Sequence, residues 1–151
     1  MEPSVAASDL WPGSPFEALI RRCDNDRASH MLGGPCSELD LRAVEQALGL
    51  PLPPPLRLFL SRMGGGVFYL KHEVFGARRV MIHDIEIVPD ILSFRAWLGP
   101  EVRPDVLPFH RADGRIHAMA LGGDGSAVHV LGETEARYPD LTSFFRQVVV
   151  P

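Results

Sequence analysis

Only two cysteines, Cys23 and Cys36, occur in 151 residues, and a single lysine stands beside fourteen arginines. Two thiols are too few for the disulfide framework that staples small secreted domains. The arginine excess reads as a coding bias, although arginine is also the better bidentate partner at interfaces. No apolar stretch approaches the ~20 residues of a membrane-spanning helix. The longest, Leu48 to Leu56, is broken by four prolines. Met1 to Phe16 has neither a basic segment nor an apolar one, so no secretory signal is expected there. Positive charge is scarce as well: the net charge is −4, whereas a nucleic-acid-binding face needs clustered Lys and Arg against phosphates. These absences predict a cytoplasmic protein that binds neither nucleic acid nor membrane. Its mildly acidic surface suits solubility and a basic protein partner.

Hydrophobic residues make up 46% and charged residues 23% of the chain, near globular averages, so a packed core is expected. The length fits one domain. Glycine and proline, 14 of each, predict short elements joined by sharp corners. Residues 1–13 read as a loose leader and 14–151 as the folded domain.

Ser14-Pro15-Phe16-Glu17 predicts a helix start, with Ser as N-cap, Pro in the first turn and Glu closing a capping box. Phe16, Leu19 and Ile20 form its buried face, and it should stop by Asp24. A second helix starts at Ser37 and carries Leu41, Val44 and Leu48 to a left-handed cap at Gly49. Pro51 and Pro53 forbid continuation and make Leu50 to Leu52 an extended corner. Pro54 and Pro55 then open a third helix with Leu56, Phe59, Leu60 and Met63 on one side. Gly64, Gly65 and Gly66 end it.

Beyond Gly66 the period becomes extended, predicting strands at Val67–Leu70 and Arg79–His83. A helix follows over Asp90–Leu98. A β-meander comes next: Val106–His110, Ile116–Leu121 and Ala127–Leu131, with Asp-Gly turns at Asp113-Gly114 and Asp124-Gly125. Asp140 should cap a short helix bearing Leu141, Phe144, Phe145 and Val148. The expected architecture is α+β, a single domain with a mainly antiparallel sheet flanked by N-terminal helices, one inserted helix and a C-terminal helix.

No residue set demands a particular chemistry. Cys23, His30 and Cys36 lack the short ligand pairs of a zinc site, so unpaired and partly buried thiols are expected. His117 and His129 fall on adjacent strands, where cross-strand pairing is available. Alternation with Ala118 and Val128 instead predicts solvent-facing histidines. His83-Asp84-Ile85-Glu86 reads as polar residues around a helix N-terminus rather than a metal site. Gly64-Gly65-Gly66 lacks the Lys-Ser/Thr of a phosphate loop. No catalytic residue, cofactor or metal is therefore expected. Glu133, Glu135 and Asp140, with Asp124 nearby, would form an acidic rim at one end of the sheet, which suits steering of a basic partner.

The succession of Glu45, Leu48-Gly49, Leu52-Pro53, Phe59-Leu60 and Gly65-Gly66, followed by Pro108-Phe109, resembles the signature of the SUKH superfamily, the SMI1/KNR4 type. The likeness runs over about residues 37–149. Each signature residue has a packing or backbone reason to be present, so the signature is structural. The resemblance implies a non-catalytic protein-binding domain, and first among such domains a bacterial immunity protein that neutralises a secreted toxin such as a nuclease. An intracellular regulatory or scaffold module is the alternative, and a small Cys/His hydrolase or metal-binding protein a more distant one.

Overall fold

The computed structural model describes residues 10, 12–122 and 127–151. Most of the expected leader, and Asp124 with its turn, lie outside the described residues. The chain begins its fold with helix α1, Pro15–Asn25, whose N-cap Ser14 accepts a hydrogen bond from the Glu17 N–H at 3.2 Å. The Glu17 carboxylate pairs with Arg21 one turn on. Helix α2, Glu38–Leu48, carries a complete capping box instead, with Ser37 and Asp40 bonding each other's backbone N–H. It ends at Gly49, whose φ of +76° is left-handed, as the sequence predicts.

Helix α3, Pro54–Arg62, follows the proline corner and buries Leu56, Phe59 and Leu60. The glycines after it are packing positions. Gly64 has φ +72°, and a Cβ there would lie 1.8 Å from the Gly34 carbonyl oxygen. A Cβ on Gly65 would lie 2.5 Å from the Gly76 nitrogen. Two loop backbones thus touch where side chains would hold them apart.

The strands are β1 (Met31–Leu32), β2 (Gly66–Phe68), β3 (His72–Val74), β4 (Val80–Ile82), β5 (Ile85–Val88), β6 (Val106–Ala112), β7 (Arg115–Ala120) and β8 (Val128–Val130). Six form one antiparallel sheet in the order β1-β2-β3-β6-β7-β8, and β4 pairs with β5 apart from it. Helix α4, Ile91–Leu98, is capped by Asp90 and stacks Phe94 on Phe75 with ring centroids 3.8 Å apart. Helix α5, Leu141–Phe144, is capped by Asp140 and runs into a π-helical turn, Phe145–Val149. All eight phenylalanines are fully buried, each stabilising the core by roughly 1.5–3 kcal/mol. Phe16, Phe59 and Phe145 join α1, α3 and the C-terminal turn, with centroids 4.7–6.4 Å apart.

The α+β class with a mainly antiparallel sheet is as expected. Two strand expectations are corrected. The strand expected over Val67–Leu70 stops at Phe68, because Tyr69 and Leu70 take left-handed φ of 51° and 56° and turn the chain into β3. Residues 83–86 do not surround a helix N-terminus. His83 and Asp84, at φ +50° and +64°, are the two-residue turn joining β4 to β5, which is the twist a tight hairpin wants.

Candidate functional site

Strands β3, β6 and β7 bring three histidines together. His110 lies directly opposite His117 across β6 and β7. It also pairs with Val74 on β3, which makes His72 its diagonal neighbour on the same face. Side chains in those relations reach each other. Phe109 is an extra residue on β6, inserted between the Pro108–Ala118 and His110–His117 pairs. Such a bulge re-aims the side chains that follow it, and here both Phe109 and His110 are fully buried.

The rings form a chain: His72 Nδ1 lies 3.0 Å from His110 Nε2, and His110 Nδ1 lies 3.1 Å from His117 Nδ1. Phe144 of α5 packs edge-on against His110 at 5.0 Å and also contacts His117 at 4.8 Å. Burial disfavours the charged imidazolium. It pushes His110 down to about 2 and His117 to about 4, and lowers His72 as well, with Arg115 and Arg137 adding to the effect on His117 and Lys71 to that on His72. The chain opens on a cleft of about 450 Å³ whose rim carries Lys71, Asp113 and Arg115. Lys71 and Asp113 are ion-paired at 2.8 Å. The expectation that His117 faces solvent is therefore corrected: it is 4% exposed. The strand alternates as supposed, but α5 covers that face. His117 pairs across with Val130 and His129 with Ala118, so the two histidines occupy opposite faces.

The face that bears His129 borders a second depression, a groove of about 320 Å³ between residues 101–106 and 129–134. Of the acidic candidates, Glu133 lines it, and the fold adds Glu101 and Asp105, which the sequence reading did not connect with the rim. Glu133 holds Arg137 bidentately at 2.8 and 2.9 Å, and Asp105 holds Arg103 at 3.0 Å. Glu135 is exposed. Asp140 accepts the Ser143 N–H at 2.7 Å as a helix cap, which explains its presence without a partner.

The signature residues serve the frame. Leu52, Phe59, Leu60 and Phe109 are core. Glu45 accepts the Leu52 N–H at 2.8 Å and Arg57 at 3.2 Å, and Arg57 reaches on to both oxygens of Glu38 at 2.8 Å. That network fixes the proline corner to α2. Both thiols are buried. Burial pushes Cys23 up to about 11 and raises Cys36 too, so neither presents a thiolate near neutrality. His30 donates from Nε2 to the Cys23 carbonyl and accepts the Tyr69 N–H at Nδ1, both at 2.9 Å. Among the described residues, no three His, Cys, Asp or Glu side chains are grouped to hold a metal ion, and no helix is long and apolar enough to cross a membrane.

The fold thus defines a class: a single-domain α+β protein in which two helices joined by a proline corner accompany a six-stranded antiparallel sheet. Within that class, the chain belongs to the SMI1 / KNR4 family (SUKH-1), whose family model matches residues 35–147. No curated protein matches it.

Proposed function

We propose that this chain is a non-catalytic binding protein of the immunity type, which neutralises a cognate bacterial toxin in the cytoplasm by direct contact. The observation that carries the reading is family membership over residues 35–147. An acidic groove supports it: Glu101, Asp105 and Glu133 line it, with Arg103 as the one cation among the lining residues, on a protein of net charge −4. Clustered carboxylates accelerate encounter with a basic surface, and a nuclease that grips phosphates presents such a surface.

The test is co-expression with the toxin gene that neighbours this one. Growth should be rescued, and the two proteins should co-elute as one complex. A toxin that kills regardless, with no complex formed, removes the proposal. A housekeeping protein recovered as the partner from the native host would favour the regulatory alternative.

A further inference from the structure

The histidine cleft is separate from the acidic groove, and the inference drawn from it is independent of the toxin reading. His72 and His117 are 6% and 4% exposed. Each sets its Nδ1 against a His110 ring nitrogen, and among the described residues neither Nε2 has a hydrogen-bond partner. Buried polar atoms are almost always bonded, so both Nε2 atoms call for a partner, and both residues line the cleft.

Proton counting sets what that partner is. A neutral imidazole has one donor and one acceptor nitrogen. Three neutral rings carry three protons, two of which lie in the two inter-ring hydrogen bonds. One remains, so one end of the chain donates and the other offers a lone pair. One further proton makes both ends donors and gives the chain a single positive charge.

We propose that this cleft binds a small oxyanion, carboxylate or tetrahedral, and that each anion bound brings one proton from solvent into the histidine chain. The rim fits an anion: Lys71 and Arg115 face one carboxylate, Asp113, which already holds Lys71. The charges around the chain are few. Lys71 and Asp113 act on His72, and His72 and His117 act on His110. Arg115, Arg137, Glu133 and His129 act on His117. Without an anion, burial keeps all three rings neutral at pH 7, so proton and anion enter together.

Calorimetric titration with sodium sulfate and with sodium acetate, each in two buffers of different ionisation enthalpy, tests this on the purified protein. Neither probe titrates between pH 6 and 8, so any proton taken up belongs to the protein. The expected result is one proton per anion and an affinity that falls about tenfold per pH unit. Sulfate binding alone identifies a tetrahedral ligand, acetate alone a carboxylate, and either supports the proposal. Arg115→Ala, at an exposed position, should weaken binding at least tenfold. His110→Leu should abolish the proton uptake. Should that variant fail to fold, histidine nitrogen spectra of the unaltered protein give the same answer, since sulfate or acetate should convert His72 and His117 Nε2 to N–H. No binding of either probe at millimolar concentration, binding without proton uptake, or undiminished binding by Arg115→Ala overturns the proposal. Toxin rescue is unaffected by any of these results.

Discussion

The proline corner and the histidine cleft are both built on polar groups drawn partly or wholly out of water, yet the two networks differ in one respect. Around the corner, Glu45 accepts from the Leu52 N–H and from Arg57, and Arg57 is held in turn by Glu38. That network is closed, and adding a ligand would offer it nothing. In the cleft, His72, His110 and His117 satisfy one another and, among the described residues, leave an imidazole nitrogen open at each end. A closed network of this kind holds a fold together, whereas an open one has capacity for something else. Residue type does not separate the two cases; the accounting of donors and acceptors does.

The largest expected effect belongs to neither network but to the glycine turn that ends α3, the helix the corner leads into. Gly64→Ala places a Cβ where only 1.8 Å separates it from the Gly34 oxygen, at a φ of +72°. Backbone, not a flexible side chain, must move. The variant should lose more than about 3 kcal/mol of stability, read as a lower urea midpoint with an unchanged slope, or fail to fold.

Next comes the pH response, which belongs to the open side. The three histidines have folded pKa values below the ordinary imidazole value, so the unfolded chain binds more protons as pH falls. Stability is then fully present above about pH 6.5 and declines from there toward about pH 4, by up to about 1.4 kcal/mol per pH unit for each histidine. Urea titrations at pH 7.5, 6.5, 5.5 and 4.5 should show this fall. His117→Phe should flatten it by one histidine's share; an unflattened curve would mean that His117 titrates normally in the folded protein.

The two regions also differ in how much of them the sequence discloses. The corner is legible because its signals are local: Ser37 and Gly49 cap α2, and Pro51, Pro53 and Pro54 set backbone angles wherever they occur. Asp90 and Asp140 mark their helices in the same way. The hairpin of β4 and β5 was hidden because its turn uses His83 and Asp84, which tolerate left-handed φ, without the glycine that usually announces such a turn. The histidine chain is less legible still. It joins residues 38 apart in sequence, depends on the bulge at Phe109, and is buried only because α5 lies over that face. The sequence places His117 and His129 on adjacent strands and, by alternation, turns both toward water. Of the acidic residues the sequence offers, Glu133 lines the groove, while Glu101 and Asp105 reach it only through the fold.

A smaller effect tests whether the corner network is truly closed. Glu45→Ala removes the acceptor of the Leu52 N–H and one of the two carboxylates on Arg57. Hydrogen bonds to a charged group contribute about 1.5–3 kcal/mol each, and Arg57 keeps Glu38, so a loss of about 2 kcal/mol is expected. Anion binding in the cleft should not change. A shift in sulfate affinity would show that corner and cleft are coupled.

The smallest effect on stability, and the one most informative about partners, comes from the acidic groove. Glu133 is paired with Arg137 at a position where both side chains are about two-fifths exposed. Exposed pairs of this kind contribute little to stability because solvent screens them, so Glu133→Lys should leave the urea midpoint almost unchanged. Its charge still acts at a distance on an approaching molecule. With Glu101→Lys added, the groove loses two carboxylates and gains two cations. The association rate with a basic partner should then drop about tenfold at low salt, while dissociation changes little. The gap between native and altered proteins should close as ionic strength rises. A rate that stays the same would place the partner on another face of the protein. A faster rate would mean that the partner is acidic, and that the groove acts against binding rather than for it.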